Sequence, residues 1–202
     1  MAHPGKLLAG EYYHIYNRGN NRTDLFIEER NYPYFLELYT KHVDPVADTY
    51  AYCLLRNHFH FLIRFNHSEE LTTRRQTRDC QPLNPSQLLS NLFNAYAKAI
   101  NRSYHRTGSL FQRPFGRARV ESQQQLMWVV VYIHRNPEKH GFVDDFQTWT
   151  YSSYHALLSA QATRLRRDDV LGWFGGRRGL ELAHHGDPPR DQLEQLTLEN
   201  YV

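Results

Sequence analysis

The chain reads as an α+β domain in the order β-α-β-β-α-β, a ferredoxin-like antiparallel sheet with helices on one face, followed by a short C-terminal helical appendage. Three observations lead there. Residues 11–18 and the pair 49–55 and 58–65 carry strand-like patterns, the latter two separated only by Arg56-Asn57, which suits a hairpin. Residues 28–43 carry apolar residues at helical spacing between the first strand and the hairpin. A second amphipathic stretch with Leu89, Phe93, Tyr96 and Ile100 on one side follows, and then a strand from Leu110 to Val120.

Ser86 is the expected cap of that second helix. Residues 67–85, with Arg74, Arg75, Arg78 and two prolines, read as a connection that orders on binding. The segment Met127 to Pro137 contains three consecutive valines, which favour a strand, yet the polar lead-in Ser122 to Gln125 and the helix-stopping Pro137 point to a helix closing the domain. The domain is expected to span 1–158. The appendage, 159–202, carries Gly175-Gly176, Arg177-Arg178 and a His184-His185-Gly186 loop, with short helices expected at 168–174 and 191–201. Arg164, Arg166 and Arg167 are candidates for contact with a polyanion, whereas His184 and His185, as neighbours, point to opposite sides and make a weak metal pair.

With 202 residues and 41% hydrophobic content the chain suits one ordinary domain plus a tail. No stretch is long and apolar enough to cross a bilayer, and no signal peptide opens the sequence, so no membrane partner and a cytoplasmic, nucleoid-associated location are expected. The two cysteines, Cys53 and Cys80, lack metal or redox spacing, consistent with a reducing compartment.

The most informative residues are Asn57 to Ile63. In a strand His58 and His60 point to one side and Phe59, Phe61 and Ile63 to the other. Two convergent imidazoles can grip a divalent ion, with a third ligand from elsewhere. The same pair would also suit two polar residues on a solvated face. If the later segment is helical, Tyr132 and Asn136 share a face and present a phenol and an amide together. Tyr132 alone would equally suit a half-buried core tyrosine.

Net charge is only +3, but between Cys80 and Val120 there is no Asp or Glu while Lys98, Arg102, Arg106, Arg113, Arg117 and Arg119 all occur. Lys98, Arg102 and Arg106 recur every four residues and line one side of a helix, a row suited to phosphates. Tyr104, Phe111 and Phe115 are interleaved where stacking on unpaired bases is expected. A solvated helix face with core aromatics is the plainer alternative.

Four blocks occur in order: Asn17-Arg18-Gly19; Arg56 to Leu62; Gly108 to Phe115; and Tyr132-Ile133-His134-Arg135-Asn136-Pro137. Together they resemble the single-tyrosine HUH (insertion-sequence-200-like) transposases, most closely their REP-associated tyrosine transposase branch, over about residues 10 to 155. Trp149 to Tyr154 resembles that family's closing block and is expected to pack aromatics on the sheet. The resemblance implies a divalent metal, Mg²⁺ or Mn²⁺, on His58, His60 and Asn136. It implies Tyr132 as the nucleophile on single-stranded or hairpin DNA, with a 5′-phosphotyrosine intermediate, in a monomer or homodimer. Arg18, Arg56, Lys98, Arg102, Arg106, Phe111, Arg113, Phe115, Arg117 and Arg119 are then the candidate DNA contacts, of which Arg18, Arg113 and Phe115 are suited to base preference. His14 and His134 are candidates for supporting the metal ligands. Two other classes stay open: a metal-dependent phosphodiesterase using water on the same histidines, and a domesticated single-stranded or hairpin DNA-binding protein without strand transfer.

Overall fold

The computed structural model describes residues 5–67, 84–186 and 189. Its strands are β1 (Tyr12–Arg18), β2 (Ala47–Leu55), β3 (His58–Phe65) and β4 (Gly116–Val120). Helix α1 (Asn31–His42) links β1 to the β2–β3 hairpin, and α2 (Pro85–Ser103) lies between β3 and β4. The sheet order is β2-β3-β1-β4 with every neighbouring pair antiparallel, the ferredoxin-like topology. After it come α3 (Gln123–Lys139), α4 (Tyr154–Leu158), α5 (Arg167–Trp173) and α6 (Arg177–Ala183). No helix among the described residues is long and apolar enough to cross a membrane. Most of the expected connection at 67–85, with its three arginines and Cys80, and the expected helix at 191–201 lie outside the described residues.

Strand alternation sorts the core into two halves. Tyr13, Ile15, Phe59, Phe61, Ile63 and Phe65 face α1 and α2, where they meet Phe35, Tyr39, Leu89, Phe93, Tyr96 and Ile100. The other face presents Tyr50, Ala51, Cys53, Leu55 and Leu62 to Leu126, Val129, Val130 and Ile133 of α3. The two helices within the β-α-β-β-α-β unit therefore share one face, as expected, and α3 covers the other. β2 and β3 are buried along nearly their whole length, so both of their faces need a cover.

Local chemistry explains the boundaries. α3 forms despite its three valines because burial outweighs their weak helix preference, and Ser122 with Gln125 makes a capping box at its start. Pro137 does not stop it; the helix runs to Lys139 with the proline inside its last turn. The cap of α2 is Asn84 rather than Ser86: the Asn84 side chain accepts from the Ser86 and Gln87 amides, and Pro85 takes the first helical position, where its missing N–H costs nothing. β4 begins at Gly116 and not Leu110, since Pro114 has no N–H for the ladder; upstream, Phe111 makes only an isolated bridge to Gly19.

The exposed side of β2 is closed by the 149–154 block, whose backbone bonds to it at Leu54 and Tyr52 while Trp149 Nε1 donates to the Leu54 carbonyl at 2.9 Å. That blunts an edge strand. α5 appears where a short helix is expected; α6 is additional. Val170, Phe174 and Leu180 join the α3 side of the core, and Trp173 stacks on Tyr50 at 5.1 Å. The appendage arginines serve the fold: Arg166 pairs with Asp169, Arg164 with Asp44, and Arg167 caps the Ala156 carbonyl.

Candidate active site

His58 and His60 point to the α3 side of the sheet, and both are buried rather than solvated. Tyr132 and Asn136 descend on them from α3, so the four residues meet over the sheet face, near the end of β1 and the start of β3, and not along an edge.

Hydrogen bonding fixes the orientation of each group. The Asn136 amide nitrogen donates to the Tyr132 carbonyl at 3.0 Å, which turns its Oδ1 toward His58. His58 Nδ1 lies 2.7 Å from Asn57 Oδ1; that oxygen can only accept, so the ring proton sits on Nδ1 and Nε2 is bare. Nε2 then faces Asn136 Oδ1 at 3.4 Å with no proton between them. His60 Nε2 is buried and has no hydrogen-bond partner among the described residues. Burial, reinforced by His140, pushes the His58 pKa down to about 3. Burial, reinforced by His14 and His58, holds His60 well below its ordinary value. Both are therefore neutral imidazoles near neutral pH, the state a metal ligand needs. The bare His58 Nε2, the unpartnered His60 Nε2 and an amide oxygen on one wall form a donor set that fits a hard-to-borderline divalent cation.

Tyr132 is 4% exposed, its ring set edge-on to those of His14 and His60 at 5.8 and 5.5 Å. Lys139 Nζ lies 5.3 Å from the centre of the same ring. His140 sits edge-on to His58 at 4.9 Å, and Arg18, the cross-strand partner of His58, adds positive charge that lowers the pKa of both histidines.

Lys139 and His140 escaped the sequence reading. Lys139, seven residues after Tyr132, lies on its face of the helix and His140 caps the helix end, and a stop at Pro137 hid both. Of the two supporting histidines, only His14 belongs here. His134 points away, with Nδ1 2.9 Å from His184 Nε2 and Nε2 2.8 Å from Ser153 Oγ.

The candidate DNA contacts divide. Arg18 and Arg56 stand at the histidine end of the sheet; Arg56 is exposed, pairs with Asp24 at 3.2 Å and overhangs Phe142. Lys98 and Arg102 are exposed on α2, on the opposite face from Tyr132. Arg113, Phe115 and Arg117 line a groove of about 720 Å³ with Asn17, Asn94 and Asn101, and the Arg117 guanidinium lies 4.1 Å over the Phe115 ring. Phe111 is a core ring, packed on Phe59 and Phe93, rather than an open stacking platform. Arg106 does not extend the row of Lys98 and Arg102, because α2 ends at Ser103 and the chain turns at His105 with φ 51°; one of the Arg106 guanidinium nitrogens is buried. Arg119 pairs with Glu11 at 2.8 Å, an acid brought by the adjacent strand and invisible to an acid-free window of sequence.

Fold and site define a ferredoxin-like domain with a neutral imidazole pair on a central strand and a tyrosine–asparagine face on the covering helix. No protein-family model matches the chain. Its sequence is similar to a REP-associated tyrosine transposase of Haemophilus influenzae, 27% identical over 125 residues that cover 56% of this chain and 62% of that relative, less than two thirds of the relative's length. It is also similar to the solved structure of a REP-associated tyrosine transposase bound to a REP hairpin, with a TM-score of 0.59 and 15% identity over 79% of this chain and 86% of that one, a likeness of fold. The resemblance drawn from the four sequence blocks is borne out by both.

Proposed function

We propose that this chain is a metal-dependent tyrosine transposase that cleaves and rejoins single-stranded DNA at hairpin-associated, REP-like sites. The observation that carries the reading is that the bare His58 Nε2, the unpartnered His60 Nε2 and Asn136 Oδ1 stand together beside the Tyr132 phenol. The names of the two similar proteins supply the substrate class.

His58, His60 and Asn136 would hold Mg²⁺ or Mn²⁺, which when bound supplies Lewis acidity and charge neutralisation at a phosphodiester. Tyr132 Oη attacks phosphorus as the bond to the 3′ oxygen breaks. The phenol proton leaves Tyr132 and the departing 3′ oxygen gains one, giving a 5′-phosphotyrosine and a free 3′-OH with no net change in protons. Attack by a new 3′-OH reverses these steps and rejoins the strand without ATP, because the phosphotyrosine keeps the ester bond energy. Lys139, over the Tyr132 ring, favours the phenolate that develops during attack. Arg18 supplies charge for the phosphate beside His58.

The test is a labelled REP-type hairpin oligonucleotide with a single-stranded flank, incubated with protein and Mn²⁺ and run on a denaturing gel. A covalent adduct that disappears in Tyr132→Phe is expected. Undiminished cleavage by Tyr132→Phe would favour the phosphodiesterase, and DNA binding by the wild type with neither cleavage nor adduct would favour a binding protein without strand transfer.

A further inference from the structure

The imidazole that meets His60 from the neighbouring strand has no part in the scheme above. His14 lies on β1, fully buried, stacked on the His60 ring with centroids 5.1 Å apart and 20° between planes. Its Nε2 is 2.9 Å from His60 Nδ1, so one proton occupies that line. If His14 donated it, a neutral His60 would carry its own proton on Nε2. That N–H would be buried with no acceptor in hydrogen-bond geometry, the Asn136 amide being the one group it could turn to, at a cost of about 1–3 kcal/mol. If His60 donates from Nδ1, His14 carries its own hydrogen on Nδ1, which is not among the buried atoms left without a partner, and His60 Nε2 remains a bare lone pair.

We propose that His14 is a positioning residue that holds His60 in its Nδ1–H tautomer and so keeps the Nε2 lone pair directed into the site. A metal-ligating histidine commonly donates its second ring N–H to a fixed acceptor; here another imidazole is that acceptor, where a carboxylate or carbonyl is more usual. The same two rings form the wall against which Tyr132 lies edge-on, so His14 orients a candidate ligand and the nucleophile's ring together. The consequence for metal affinity rests on the proposed function; the tautomer does not.

Histidine-¹⁵N-labelled, metal-free protein tests it first, because long-range proton–nitrogen correlation reads which ring nitrogen carries the hydrogen. His60 is expected as Nδ1–H in the wild type. His14→Phe keeps an aromatic ring but removes the acceptor. It is expected to move His60 toward the Nε2–H form and to weaken Mn²⁺ binding, measured by calorimetric titration, about 10- to 100-fold. His14→Gln, whose amide oxygen can accept from Nδ1, is expected to keep Mn²⁺ affinity within a few-fold of wild type. An Nε2–H His60 in the wild type overturns the proposal, and so does a folded His14→Phe protein with unchanged tautomer and affinity. Should His14→Phe fail to fold, the wild-type tautomer and the glutamine variant decide. A wild type with the Nδ1–H form that takes up no Mn²⁺ supports the role of His14 and overturns the metal reading instead.

Discussion

Lowering the pH from 7 to 5 should destabilise this protein steeply, and the His134–His184 pair sets much of the size of the effect. The His184 Nδ1 proton goes to the Leu180 carbonyl at 2.7 Å, so its Nε2 accepts from His134 Nδ1; His134 Nε2 in turn accepts from Ser153. Every ring nitrogen is satisfied by two neutral imidazoles; a proton added to His184 Nε2 would set two N–H groups against each other, and one added to His134 Nε2 would turn the Ser153 hydrogen away to the Tyr52 carbonyl at 3.1 Å. Burial accordingly pushes His184 down to about 4 and His134 well below its ordinary value. In the unfolded chain both titrate near 6.5. Below that pH the unfolded state binds more protons, so the stability present above about 6.5 is lost as the pH falls toward the folded values. At roughly 1.36 kcal/mol per unit, each histidine forfeits about 2 kcal/mol by pH 5. The pair together forfeits about 4 kcal/mol, a large share of the 5–15 kcal/mol typical of a domain. Urea unfolding followed by circular dichroism at pH 7 and 5, with chelator present, measures this. The His134→Leu/His184→Leu protein should lose about 4 kcal/mol less over the same interval. Equal pH dependence in the two proteins would refute the reasoning.

Other perturbations separate the remaining groups. His60→Ala should abolish measurable Mn²⁺ binding, whereas Asn136→Ala should only weaken it, since water can replace an amide oxygen; equal losses in titration calorimetry would argue against that ranking. Replacing Lys98, Arg102 and Arg113 by alanine should lower the slope of log affinity on log salt for single-stranded DNA by about 0.7 for each lost phosphate contact, and an unchanged slope would remove both the exposed side of α2 and the Arg113 groove from the DNA path. Gly116→Ala would drive its Cβ into the Tyr16 ring, so a loss of about 1–3 kcal/mol in urea unfolding is expected; a neutral result would mean that the strand yields there easily.

The sequence made the strand alternation legible because period two is a local property: His58 and His60 on one side, with Phe59, Phe61 and Ile63 on the other, follow from the strand alone. α3 was legible from its capping residues even against three valines. What stayed hidden needed distance in the chain. His14 and His60 are 46 residues apart, and nothing near either one marks the hydrogen bond between them. His134 looked like a supporting residue because of its place two after Tyr132, yet two positions along a helix carry a side chain to the opposite side, toward Ser153 and His184. Phe111 had the spacing of a stacking residue, but interleaving with cations cannot tell an open ring from one under a sheet.

The end of β1 carries neighbours that look in opposite directions. Tyr16 and Arg18 belong to the histidine side, while Asn17, between them, lines the groove on the far side. The sheet is thus a partition with the imidazole pair and Tyr132 on one side and a cationic, amide-rich trough on the other. Side chains well separated across it should respond to mutation almost additively. A chain built this way can revise the trough at Asn94, Asn101 or Arg113 through many substitutions and leave the histidine side intact. Asn17 is where that independence ends, since its side-chain oxygen accepts from the backbone amide of Arg18 at 2.8 Å and links the two sides within a single residue step.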